Sequence, residues 1–268
     1  MMIFCRALLT MCVMAETAAG AQTAGVQLCA AGSLREALTE VARDFETASG
    51  HKVVLTFGAS GLLRGRIEQG EPAQVFASAD MDHPERLAQA GRWSAPQVFA
   101  RNLMRALAAP SVNATPETLL DTLLQPAIRL GTSTLKADPS GDYAWALFRR
   151  ADALQPGAFA VLDAKALKLT GAAGSAQPPA GRSTYAWLMD KGKADVFLTY
   201  CTNAATALRD VPRLRVIQVP ASLQVAASYG VTVRRETDPG AAQLADYLLA
   251  PAAQAVLRRH GFGAPANL

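Results

Sequence analysis

The chain is predicted to be an α/β protein of two lobes, each lobe a mostly parallel sheet flanked by helices. Three observations predict it. Short apolar runs alternate with helical patterns in the first part of the chain, the same rhythm restarts near Ala127, and a late strand-like run precedes a C-terminal amphipathic segment. A restart followed by a returning strand implies more than one chain crossing between the lobes.

The elements follow in order. "VQLCA" from Val26 reads as a buried strand, and Leu34, Ala37, Leu38, Val41, Ala42 and Phe45 then recur at spacings of three and four, which gives one helical face. "KVVLTF" is the second strand, with Leu62, Leu63 and Ile67 lining the next helix. "QVFASAD" is the third strand, followed by a helix from about Pro84. After the restart, "AIRLGTS" is a strand and "GDYAWALFRRAD" a helix. "DVFLTYCT" is a further strand, followed by a helix through Ala204 to Leu208 and by "LRVIQVP". The Gly/Pro-rich stretch "GAAGSAQPPAGRS" (171–183) reads as a loop. "QVAASYGVTV" (224–233) is the returning strand, and "LADYLLAPAAQAVLRRHGF" is expected as one amphipathic helix. The boundaries expected are 22–103 for the first part of lobe I, 104–223 for lobe II and 224–268 for the return segment.

Composition narrows the function. Half of the 268 residues are hydrophobic and 18% are charged, which is enough for a sizeable core and unlike a disordered chain. A formal net charge of +4, with no basic run interleaved with aromatics, argues against nucleic-acid binding. Residues 1–21 read as a signal peptide: Arg6 precedes the short apolar run "ALLTMCVM", and Ala19-Gly20-Ala21 fits a small-residue cleavage site. That run is shorter than the ~20 apolar residues a bilayer span needs. Export to the periplasm is therefore expected, leaving Cys29 and Cys201 in the mature chain. Neither belongs to a Cys-x-x-Cys pair, and both are expected as separate thiols at apolar positions.

Two serines stand at equivalent joints. Ser33 in "CAAGSLREAL" and Ser60 in "FGASGLLRGRIEQG" each follow a strand and open a helix. "SLRE" also fits a capping box, so each serine alone is explained as a helix cap worth ~1 kcal/mol. Together they lie at the carboxyl ends of parallel strands, where open α/β sheets bind ligands. Helix N-termini with small neighbours such as Gly32, Ala59 and Gly61 offer N–H groups to an anion without needing Lys or Arg.

The stretches "AAGSL", "FGASGLLRGRIEQGEPAQVFASAD", "ADPSGDYA" and "TYCTNA" resemble, in order and over nearly all the mature chain, the landmarks of periplasmic molybdate-binding proteins of ABC importers. The resemblance implies a type II periplasmic binding fold that closes on tetrahedral molybdate or tungstate and delivers it to a membrane permease. It implies Ser33, Ser60 and Tyr200 as hydroxyl donors, and Ser140 as the position of a backbone N–H donor. The family's remaining backbone donor, an apolar residue, falls here on Arg182. If the Arg182 guanidinium enters the cleft, another oxyanion or a carboxylate becomes the alternative ligand. No cofactor and no partner beyond the permease are implied, and a monomer is expected.

Enzyme readings fare worse. "GASG" lacks the second glycine of Gly-x-Ser-x-Gly, because Leu62 stands there, and His51, His83 and His260 occupy no triad context. "STLK" (133–136) matches Ser-x-x-Lys, but Asp138-Pro139 disfavours the helix that motif needs, and no phosphate-loop or metal-helix motif occurs. A secreted serine hydrolase is the weakest reading, and no catalysis is expected.

Overall fold

A computed structural model describes residues 25–265; the signal peptide expected over 1–21 lies outside them. The fold is two-lobed and mixed α/β. Strands β1 (Val26–Ala31), β2 (Val53–Gly58) and β3 (Val75–Ser78) are parallel in the order β2-β1-β3. The second half repeats the device with β5 (Leu130–Ser133), β6 (Leu167–Thr170) and β7 (Val196–Tyr200), parallel in the order β7-β5-β6.

Two long strands join the halves. The 12-residue β4 (Gln97–Ala108) runs antiparallel to β9 (Ala226–Val233) over Gln97 to Leu103, then antiparallel to β7 from Met104 to Ala108. β8 (Arg215–Gln218) also pairs with the second part of β4. β9 in turn pairs antiparallel with β3. The partner change between Leu103 and Met104 is what makes one sheet order, β2-β1-β3-β9-β4-β7-β5-β6, serve two lobes.

β4 goes unrecognised in the sequence pattern, because Arg101 and Arg105 interrupt its apolar run. Its alternation is nevertheless that of a half-buried strand: Asn102, Met104 and Ala106 are buried while Arg101, Leu103 and Arg105 are partly exposed. Buried side chains continue across it, from Leu28 and Val75 through Phe99 and Met104 to Leu198 and Phe148, so the lobes share one core.

The helices cover the sheet. α1 (Arg35–Ser49) buries Ala37, Leu38, Val41, Ala42 and Phe45, the face its spacing predicts, and packs with the C-terminal helices. α2 (Ser60–Glu68) and α3 (Asp82–Gln89) pack together. In the second half α4 (Leu119–Leu124), α5 (Pro139–Leu154) and α6 (Ala158–Lys165) form one group, and α7 (Thr184–Asp190) and α8 (Cys201–Asp210) another.

The C-terminal amphipathic segment is two helices rather than one: α9 (Pro239–Leu249) and α10 (Pro251–Arg259). Pro251 sets the break, since it lacks an N–H and pushes Ala250 into extended backbone (φ −71°, ψ 152°). No helix among the described residues is long and apolar enough to cross a membrane. Cys29 and Cys201 are both free thiols; Cys29 is buried, and that burial pushes its pKa up to about 11.

Candidate functional site

The carboxyl ends of β1, β2 and β3 face those of β6 and β7 across a cavity of about 620 Å³. Ser33, Ser60, Tyr200 and Arg182 all lie on its wall. Ser140 is not among the wall residues described; Asp138, two residues earlier, takes that place. The loop 171–183 forms much of the remaining wall. It can approach because Gly171, at φ 89°, has no side chain where Asp138 sits: a Cβ there would lie 2.6 Å from the Asp138 Cβ.

Ser33 does not cap α1. It lies in a short 3-10 turn, Gly32–Leu34, and α1 starts at Arg35 with no side-chain cap. The Ser33 Oγ instead lies 2.9 Å from the Tyr229 Oη, and Glu36, the other half of the expected capping box, pairs with Arg209. The 3-10 turn moves the serine outward by one residue, so its hydroxyl cannot reach back to the first helical N–H groups. Ser60 is the first residue of α2 and 1% exposed, yet it too caps nothing. Its Oγ accepts from the Ala79 N–H at 3.1 Å, just beyond β3. Both serines therefore belong to the cleft side of their joints.

The second half contributes differently. Tyr200 ends β7, is 1% exposed, and donates its hydroxyl to the Ala79 carbonyl at 3.4 Å. Its ring packs against Tyr143 and Tyr229, with centroids 6.1 and 5.6 Å away, and burial holds its pKa well above the usual phenol range. The Ser140 N–H donates to Asp138 Oδ1 at 3.0 Å, in the cap of α5, while its Oγ is buried with no hydrogen-bond partner. The Arg182 N–H donates to the Pro179 carbonyl at 3.2 Å. Its guanidinium is held by Asp210 at 3.2 Å and Asp190 at 3.6 Å, so its charge is already paired.

The halves also touch directly. The Gly61 N–H, at the start of α2, donates to the Ala137 carbonyl at 3.0 Å. Only glycine allows this approach: a Cβ at Gly61 would lie 2.7 Å from the carbonyl oxygens of both Lys136 and Ala137.

Charge around the cavity is mixed. Burial raises Asp138 to about 6, and Asp80, behind Ala79, to about 6 for the same reason. Arg35, also on the wall, has no acidic partner among the described residues and stacks its guanidinium 4.7 Å over the Phe57 ring.

Asp138, Tyr229, Asn102 and Arg35 are the residues sequence reasoning missed. Asp138 had a signal, an Asp-Pro pair set to cap and open a helix. Tyr229 and Asn102 had none, because only the strand order β1-β3-β9-β4 brings them to Ser33.

A two-lobed α/β fold with polar groups gathered at opposed strand ends is a ligand-capturing architecture. The chain belongs to the bacterial extracellular solute-binding protein family, which matches it over residues 26–263. The protein PM1146 of Pasteurella multocida is 36% identical over 246 residues, covering 90% of this chain and 99% of its own length. The molybdate-binding protein ModA of Mycobacterium bovis is 25% identical over 251 residues, covering 88% of this chain and 83% of its own.

Among solved structures, the periplasmic molybdate-binding protein of Azotobacter vinelandii aligns with a TM-score of 0.67 at 19% identity, over 90% of this chain and 99% of that one. The sulfate-binding protein SubI of Mycobacterium tuberculosis aligns with a TM-score of 0.73 at 17% identity, over 90% and 87%. At such identities the structures establish the fold alone.

Proposed function

We propose that the protein captures a tetrahedral oxyanion, molybdate or tungstate, in the periplasm and delivers it to the permease of an ABC importer. In this reading it acts as a monomer without a cofactor and without turnover. The ion lies between lobe I (22–103 with 224–268) and lobe II (104–223). Ser33, Ser60 and Tyr200 serve as hydroxyl donors, and the backbone N–H groups of Ser140 and Arg182 complete the set. The observation that carries the reading is the convergence of Ser33 and Ser60 from lobe I and Tyr200 from lobe II on one cavity. The likeness to a molybdate-binding relative over 88% of this chain supports the choice of ion.

The physical logic is equilibrium capture. Closure removes the ion's water and replaces it with fixed dipoles, and an unpaired buried charge is very costly, so nearly every oxygen needs a donor. A donor ring fitted to a larger oxyanion then holds a smaller one poorly.

The cavity volume favours a second reading, a small organic anion, because about 620 Å³ falls within the 300–1,000 Å³ range of organic-ligand sites. Isothermal titration of the mature protein against molybdate, tungstate, sulfate, phosphate, chromate and small organic phosphates and carboxylates tests both. One-to-one binding of molybdate and tungstate, with sulfate weaker, is expected. Binding confined to organic anions selects the second reading, and binding of none of them sinks both.

A further inference from the structure

The Ser33 hydroxyl is one end of a hydrogen-bond chain that begins on a strand joining the lobes. Asn102, on β4, is 2% exposed, and its Oδ1 accepts from the Leu103 N–H at 3.0 Å, which identifies the other end of the amide as the NH2. That NH2 donates to the Thr202 Oγ1 at 2.9 Å and to the Tyr229 Oη at 3.3 Å. Tyr229, on β9 and fully buried, has its Oη 2.9 Å from the Ser33 Oγ.

The direction of the chain follows from its first member. An amide NH2 only donates, so the Tyr229 proton cannot go to Asn102. Ser33 Oγ is the acceptor within reach. Tyr229 therefore donates to Ser33, and the Ser33 proton is left for the cleft. Ser60 is arranged alike, because its Oγ accepts from the Ala79 N–H, which can only donate. Burial keeps the Tyr229 phenol protonated, well above its usual range, so the chain holds its direction across the neutral pH range.

We propose that Tyr229, oriented by Asn102, is a positioning residue that presents Ser33 as a hydrogen-bond donor and so favours a fully ionised tetrahedral dianion over hydrogenphosphate, which carries its own proton. The inference rests on the oxyanion reading above. A ligand oxygen that bears a proton meets two serine hydroxyls already turned to donate, and one contact becomes donor against donor. Without the Tyr229 hydroxyl, the Ser33 hydroxyl is free to rotate and to accept.

The test is titration of molybdate and inorganic phosphate at pH 7.5 into the parent, Tyr229→Phe, Ser33→Ala and the double variant. Tyr229→Phe keeps the ring that packs against Phe99, Tyr200 and Phe262. Molybdate affinity is expected to fall about threefold, the cost of fixing a hydroxyl that is free among its three staggered positions, and the molybdate-to-phosphate ratio to narrow. In the Ser33→Ala background the same change has no further effect on either quantity, because its action passes through Ser33. Asn102→Ala leaves both hydroxyls but lets their pair run either way, and shifts the ratio in the same direction by a smaller factor.

A Tyr229→Phe protein with the parent's affinity and ratio overturns the proposal. So does an equal loss with and without Ser33, which marks a packing role only. If Tyr229→Phe does not fold, as judged by circular dichroism, Asn102→Ala decides alone, and an unchanged ratio in that variant refutes the inference. A parent that binds no oxyanion refutes the proposed function itself, which these outcomes keep separate.

Discussion

The two faces of the cleft present the same kinds of group in opposite states of readiness. On lobe I, the Ser33 and Ser60 oxygens already accept hydrogen bonds, from Tyr229 and from the Ala79 N–H, and their protons are left for a ligand. On lobe II the protons are already engaged, that of Tyr200 across the cleft on lobe I and the two N–H groups within lobe II. Tyr200 donates to Ala79, the Ser140 N–H to Asp138, and the Arg182 N–H to Pro179. Lobe I is thus a preformed donor face, whereas each lobe II donor must leave a partner before it can serve an anion. A donor that gives up an existing bond contributes only the difference between the two. Lobe I should therefore carry most of the affinity, and lobe II the response to closure.

Exchanging the donors one at a time puts this asymmetry to its hardest test. Ser33→Ala and Ser60→Ala are each expected to weaken oxyanion binding by ~1.5–3 kcal/mol, the range for hydrogen bonds to a charged group. Tyr200→Phe should cost less, ~0.5–1.5 kcal/mol, because its bond to Ala79 at 3.4 Å is lost from the free protein as well. Calorimetric titration of the three variants measures it, and a Tyr200→Phe loss larger than both serine losses reverses the comparison.

The acidic side of lobe II gives the next effect. Asp138 lies on the cavity wall with its pKa raised to about 6 by burial, so at neutral pH it opposes a bound anion. Lowering the pH from 7.5 to 5.5 should strengthen oxyanion binding by roughly three- to tenfold, corresponding to a fraction of a pKa unit up to one. Asp138→Asn should flatten that dependence, and an unchanged pH profile in this variant removes Asp138 from the site.

Stability follows the same sign. The folded pKa of Asp138 and of Asp80 exceeds the unfolded value of about 4, so the native chain binds protons more tightly there. Their contribution is full below about pH 4 and is lost as the pH rises through about 6. Thermal melts of parent and Asp138→Asn between those pH values should diverge accordingly.

The smallest effect is expected at Arg182. Its guanidinium is paired with Asp190 and Asp210, and Asp190 keeps Arg213 as a second partner. Arg182→Leu retains the backbone N–H, and affinity should stay within the ~0.5 kcal/mol typical of surface changes. A loss of ~1.5 kcal/mol or more shows that the guanidinium swings into the cleft and that lobe II holds a charged donor after all.

Much of this was legible in one dimension. The spacing of Ala37, Leu38, Val41, Ala42 and Phe45 specifies the buried face of α1, and the apolar runs locate β1, β2, β3, β5 and β7, because periodicity is a local consequence of burial. The strand-to-helix joints locate Ser33 and Ser60, since parallel strands with crossover helices must align those joints at one edge. The role of each serine was not legible. A capping box and a 3-10 turn are compatible with the same four residues "SLRE", and what separates them is where the hydroxyl finds its partner. At Ser33 that partner is 196 residues away.

The sequence by itself therefore determined the lobes' building blocks, the edge at which ligand groups gather and the small residues that let a ligand approach. Tertiary structure alone decided the rest: that β4 serves both lobes, that Asn102 and Tyr229 orient Ser33, that Gly61 receives the Ala137 carbonyl, and that Arg182 is paired with Asp190 and Asp210. The reason is physical. Periodicity and capping are short-range and recur in any chain, whereas the direction of a hydrogen bond or the pairing of a charge depends on groups that only a particular strand order brings within about 3 Å of each other.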